Sequence, residues 1–236
     1  MDAQEKVVNE YLIKQGYELI TFEPDGNVTP DFLVNGLIAI EVRRLNQHFE
    51  NEEGCLKGLE EDSIPLYQAV HGMLKNYDHM FSGKTYFVFL RFRRPLEKWK
   101  AVKKEVDKAL KNFSLSPTEK TLEIPINNSL TLKIIPAGTP INGKQYLMAG
   151  YSDLDSGGWI LSEMERNILI CSEKKLKTVE KHRTKYPTWW LFLVDHIGHG
   201  IGEDEKIHLN QELLSGHDWD KVVIVNPLKI EDAYEI

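Results

Sequence analysis

In residues 4–15, Val7, Val8, Tyr11 and Leu12 fall on one helical face, and Gly16 follows where a helix end tolerates positive φ. Residues 17–22 (YELITF) read as a short strand, followed by a turn cluster of Pro24, Asp25, Gly26 and Asn27. The period then changes to two. In residues 37–43, Ile38, Ile40 and Val42 occupy one face and Leu37, Ala39, Glu41 and Arg43 the other. Asn35-Gly36 separates this run from the apolar run at 32–34, which predicts a tight hairpin. Polar residues dominate 45–58, with Glu50, Glu52 and Glu53 forming an acidic patch, so this stretch is expected to be a loop. Residues 59–81 return to helical spacing through Tyr67, Val70, Leu74, Tyr77 and Phe81, and 84–92 (KTYFVFLRF) predicts a strand buried on both faces.

The remaining pattern extends an α/β architecture. Residues 97–113 put Trp99, Val102, Val106, Ala109 and Phe113 on one helical face and lysines on the other. A hairpin is expected at 120–135 around Asn127-Asn128-Ser129, with Pro125 assigning its first strand to an edge. A strand at 145–151, a loop at 152–158 and a long helix at 159–185 follow; that helix becomes basic in its second half. Apolar strands at 189–194 and 222–225 complete the pattern. One elaborated domain over 1–236 is the simplest account, with a boundary near residue 95 or 115 as the alternative.

Composition narrows the class. With 42% hydrophobic and 28% charged residues, the chain matches an ordinary globular protein with a sizeable core. No run approaches the ~20 apolar residues a transmembrane helix needs, and the first ten residues lack a signal-peptide core, so a cytoplasmic chain without a membrane partner is expected. Cys55 and Cys171 lack metal-type spacing and read as free thiols. The net charge of −7 argues against indiscriminate coating of nucleic acid. Yet residues 91–111 hold nine Lys/Arg against three acids, and residues 173–185 six against two. Solvated helix faces explain such runs, and so does local binding of a polyanion.

The chemistry concentrates in residues 29–46. Asp31 opens one strand of the hairpin, and Glu41 and Arg43 project from the same face of the other. Paired carboxylates with a cation beside them can hold a hard metal ion next to a phosphate. The order Asp, hairpin, Glu-x-cation resembles the signature of the PD-(D/E)xK nuclease superfamily, the restriction-endonuclease-like fold. The resemblance extends upstream through Glu5 and the apolar helix ending at Gly16, and covers about the first 90 residues. It implies an αβββαβ core with a mixed sheet at 1–94, elaborated by the helices and strands of 95–236. It also implies phosphodiester hydrolysis by Mg²⁺ or Mn²⁺ held by Asp31 and Glu41, with the Val42 carbonyl and Glu5 as further ligands. Glu5 is preferred over Glu10 because it borders the buried stripe.

One position departs from the family pattern. Arg43 stands where the motif has lysine; arginine stays protonated and can clamp a phosphate oxygen or hold a water but not act as a base. The expected catalytic set is therefore Asp31, Glu41 and Arg43, with Lys174, Lys175, Lys177, Lys181 and Arg44 as contacts to nucleic acid. DNA is favoured over RNA as partner, and a homodimer is a candidate assembly. The alternative is a catalytically degenerate member of the same fold acting as a binding or assembly module, which Arg43 and the acidic charge favour. A third reading is an unrelated enzyme acting on a small anion. His196 and His199 in a Gly-rich loop lack the helical spacing of a zinc site, and Gly198, Gly200 and Gly202 lack the strand-loop-helix setting of a phosphate loop.

Overall fold

Helix α1 (Ala3–Lys14) begins where Asp2 accepts hydrogen bonds from the Gln4 and Glu5 backbone N–H groups at 2.7 and 2.8 Å, while the Glu5 side chain accepts from the Asp2 N–H. That reciprocal box satisfies donors the helix start would otherwise leave unpaired. Strands β1 (Ile20–Phe22), β2 (Phe32–Val34) and β3 (Ile38–Leu45) follow. Asn35 and Gly36 have φ values of 53° and 68°, the two left-handed positions the predicted hairpin requires. The computed structural model describes residues 1–26, 28–51, 53–199, 201–213 and 218–236; Asn27 of the turn cluster, Glu52 of the acidic patch and Gly200 lie outside the described residues.

The chain continues through β4 (His48–Glu50), β5 (Leu56–Gly58), α2 (Glu60–Leu74), β6 (Tyr86–Phe92), α3 (Trp99–Leu115), β7 (Leu122–Pro125), β8 (Leu130–Pro136) and β9 (Tyr146–Asp153). It then forms α4 (Ile160–Val179), β10 (Thr188–Asp195), α5 (Glu203–Leu213), β11 (Lys221–Val225) and β12 (Tyr234–Glu235). Two units result. The first joins Met1–His48 to Gly158–Ile236, and the second is Phe49–Gly157. Both are mixed α/β. Among the described residues no helix is long and apolar enough to cross a membrane.

In the first unit a six-stranded sheet has the order β1-β2-β3-β10-β11-β12. The β1-β2-β3 meander is antiparallel, β3, β10 and β11 are mutually parallel, and β12 is antiparallel to β11. Alternation sends Ile40, Val42, Phe192 and Val194 toward Val8 and Leu12 of α1. It sends Ala39, Leu45, Leu191 and Leu193 toward Met164, Ile168 and Cys171 of α4. Central strands covered on both faces need apolar side chains in both directions, which β10 (TWWLFLVD) and β11 (KVVIV) supply.

The sequence pattern assigned residues 59–81 and 84–92 to the next helix and strand of the first core. They lie instead in the second unit, whose four-stranded sheet has the order β7-β8-β6-β9. Strand β6 alternates buried and partly exposed residues, so only one of its faces packs under α2 and α3. The place beside β3 belongs to β10, in register from Ile38 with Thr188 to Leu45 with Asp195. The divisions accordingly fall after His48 and after Gly157 rather than near residue 95 or 115. The expected loop at 45–58 contains the paired strands β4 and β5. The β7–β8 hairpin forms as predicted, with the Pro125 strand at the edge.

The second unit carries a buried cation. Arg94, whose side chain is 7% exposed, bonds Asp62 at 3.2 Å, Asp153 at 2.8 Å and the Leu59 carbonyl at 2.7 Å, and lies 3.4 Å from Asp155. Its guanidinium also sits 4.6 Å from the centre of the Phe49 ring. Replacing Arg94 with Met is expected to cost about 2–4 kcal/mol, because buried Asp153 loses its counter-ion. A urea unfolding curve followed by far-UV circular dichroism checks it. Arg94→Lys is expected to recover less than half, since an ammonium cannot bridge this fork of acceptors.

Candidate functional site

Extending the β2–β3 register by one residue brings Asp31 opposite Glu41, because Phe32 pairs with Ile40 and Leu33 with Ala39. Asp31 is fixed from two sides. Its carbonyl accepts the Glu23 N–H at 2.9 Å, and its carboxylate Oδ2 accepts the Val42 N–H at 2.7 Å. Glu41 points to the α4 side of the sheet and is 1% exposed. Its Oε1 accepts from the Thr29 hydroxyl and its Oε2 from the Lys175 ammonium. The same ammonium lies 3.5 Å from Asp31 Oδ2. One cation therefore bridges the two carboxylates.

Lys175 reaches the pair because of its place in α4. Met164, Ile168, Cys171 and Val179 are buried on this helix, and Lys175 continues their i, i+4, i+7 stripe. A lysine in the middle of an apolar stripe calls for an acidic partner on the facing sheet. That signal was present in the sequence. Lys174 is half-buried on the side of His48 and Lys177 is exposed, so the basic run expected as one nucleic-acid contact is spread around the helix. Lys181 lies beyond α4, in the 3-10 turn Glu180–Lys185, and is exposed.

Asp31, Glu41 and Lys175 line a cleft of about 200 Å³ with Glu23, Val28, Thr29 and Thr178. Burial raises the Glu41 pKa from its ordinary 4.5 to about 7; Lys175 opposes that rise and Asp31 adds to it. A divalent cation entering this cleft therefore competes with a proton on Glu41 and with the Lys175 ammonium.

The other expected residues are arranged differently. Arg43 shares the face of Glu41, as alternation predicted, but makes no ion pair with either acid; it lies beside His48, farther along that face. The buried His48 is anchored by Asn167, whose Oδ1 accepts its backbone N–H at 2.9 Å and meets its Nδ1 at 2.9 Å. Burial holds the His48 pKa below its ordinary value. Arg44 turns to the opposite face, where with burial and His199 it lowers the His196 pKa to about 4. Val42 enters the site through its N–H rather than the expected carbonyl contact. Glu5 closes the α1 capping box and does not line the cleft, so it does not join Asp31 and Glu41.

Among the described residues, no group of three or more His, Cys, Asp or Glu side chains is positioned to hold a metal ion. The rings of His196 and His199 are 5.6 Å apart. Asp195 Oδ1 accepts the Ile197 and Gly198 N–H groups at 2.8 and 2.9 Å, shaping the turn after β10. The fit to a divalent cation rests on the Asp31–Glu41 pair, whose hard oxygen donors already converge on one positive charge. Compared with protein-family models, curated proteins and solved structures, the chain matches none.

Proposed function

We propose that this protein is a metal-dependent nuclease of the restriction-endonuclease-like kind, with Asp31 and Glu41 as ligands of Mg²⁺ or Mn²⁺ and Lys175 in the role of the motif lysine. The observation that carries the reading is the convergence of one strand-end aspartate, one buried strand glutamate and one helix lysine on a single cleft. The sequence α1, β1, β2, β3, α4, β10 within the first unit supports it, since this is the αβββαβ order the motif implied. Lys175 also answers the departure at Arg43, because lysine can give up a proton and arginine cannot.

When bound, the metal would lower the pKa of a coordinated water and neutralise charge growing on the phosphate. Thr29 holds Glu41 in one orientation by donating to Oε1, and the Val42 N–H does the same for Asp31. Lys175, released from the carboxylates, hydrogen-bonds the attacking water or a non-bridging phosphate oxygen. DNA is the favoured substrate. The second reading is a binding module whose site is closed by its own lysine, favoured by the direct Lys175–Glu41 contact.

Calorimetry with Mg²⁺ and Mn²⁺ on wild type and Asp31→Ala, alongside plasmid and single-stranded substrates, separates the two. The expected result is metal binding and metal-dependent cleavage, both reduced at least about 100-fold in Asp31→Ala. Binding without cleavage of any substrate favours the closed module, and binding in neither protein overturns both.

A further inference from the structure

The second unit carries a row of cations with no role in the cleft. Helix α3 buries Val102, Val106, Leu110 and Phe113 in the unit's core. Its opposite face presents Lys100, Lys103, Lys104, Lys108 and Lys111, all exposed. Only Lys111 meets an acid on this helix, Asp107 at 2.7 Å, and that acid also accepts from the Tyr77 hydroxyl at 2.6 Å. Among the described residues no ion pair answers the other four. Elsewhere in the unit Lys84, Arg91, Arg94, Lys133 and Lys144 each face a carboxylate, and the cations without one, such as Lys57, Lys75 and Lys120, are scattered over other elements rather than aligned on one helix. Like charges at i, i+4, as in Lys100/Lys104 and Lys104/Lys108, disfavour the helix. The row concentrates positive charge on one helix face of a chain whose net charge is −7.

We infer that α3 is a docking surface for the phosphate backbone of nucleic acid, separate from the cleft of the first unit. Lysines four residues apart advance about 6 Å along a helix, close to two phosphates of a strand that carries one charge per about 3.4 Å. A regular line of positive charge suits a regular line of phosphates, and its contacts carry no base sequence. Insertion into a lipid surface is disfavoured because the apolar face of α3 is already consumed by the core. The choice of nucleic acid among polyanions rests on the nuclease reading; the charge pattern does not.

The test is fluorescence anisotropy on the full chain in EDTA, where metal-dependent cleavage cannot occur, with labelled duplex and single-stranded DNA at several KCl concentrations. Lys100→Gln/Lys104→Gln/Lys108→Gln is expected to bind duplex at least about ten-fold more weakly, and its log K against log[salt] slope to fall by about 2.7, at about 0.9 per phosphate contact. The corresponding triple Lys→Arg variant restores binding, and an unchanged thermal melt of the Gln variant excludes loss of fold. The triple Gln substitution is expected to lower the slope by the same amount in an Asp31→Ala background, so failure of the metal site does not mimic failure of this surface. An unchanged salt slope in the Gln variant overturns the inference. So does wild-type binding to polyglutamate or phosphatidylserine vesicles as tight as to DNA.

Discussion

Replacing Lys175 with Met is expected to tighten Mg²⁺ or Mn²⁺ binding about ten-fold while lowering cleavage by at least about 100-fold. The opposite signs follow from the ammonium's position. It contacts Glu41 directly and lies 3.5 Å from Asp31, so a metal entering between these carboxylates competes with it. Methionine keeps the apolar stem packed along α4 and removes the charge. Without the ammonium, Glu41 keeps the burial and the Asp31 repulsion that raise its pKa and loses the attraction that lowers it. Metal binding to the variant therefore releases more protons and strengthens more steeply with pH. Calorimetry in two buffers of different ionisation enthalpy measures both. Tighter metal binding with wild-type cleavage would remove Lys175 from the chemistry and leave it a gatekeeper. Weaker metal binding would show that the lysine organises the acids rather than competing for them. Lys175→Arg is expected to restore the weaker wild-type metal binding, because it keeps the competing charge, but not the cleavage, because arginine does not give up a proton.

The pair of carboxylates was legible because its signals are local. Asn35-Gly36 fixes the turn and period-two alternation fixes the face of Glu41, so residues ten apart in sequence meet across one hairpin. The contact between Lys175 and Glu41 was hidden for a different reason. Charge counting grouped it with Lys174 and Lys177, whereas helical phase separates it from them and aligns it with Cys171 and Val179. The inserted unit was hidden by the likeness of two strands. YFVFLRF and TWWLFLVD both read as apolar strands, and their difference lies in whether a second face is covered. That depends on partners far away in the chain: β3 pairs in parallel with β10 across the whole second unit. Parallel pairing has no turn to announce it, whereas the β7–β8 hairpin, with its Asn-rich turn, was readable. Glu5 is a different case. The resemblance implied a ligand there, but the capping box with Asp2 occupies its side chain locally.

Glu41→Gln is expected to raise stability at pH 8 by about 2–3 kcal/mol and to leave it nearly unchanged at pH 4. Burial moves the Glu41 pKa from 4.5 to about 7 in the folded protein. Between these values the folded chain retains a proton that the unfolded chain has released. Stability consequently falls as pH rises from 4.5 to about 7, and stays lower above that range. The full difference corresponds to about 3 kcal/mol, at about 1.4 kcal/mol for each tenfold change in the proton equilibrium. Glutamine keeps the side chain's shape and an oxygen for Thr29 or Lys175 while removing the buried charge. Thermal melts across pH 4–9 should show the wild-type curve declining through neutrality and the variant curve flatter. Added Mg²⁺ should restore the wild type at pH 8 and leave the variant unchanged, because only an ionised Glu41 gains from the metal. If the variant is instead less stable at pH 8, attraction to Lys175 outweighs desolvation, and the site is a structural ion pair rather than a cation site held open at a cost to folding.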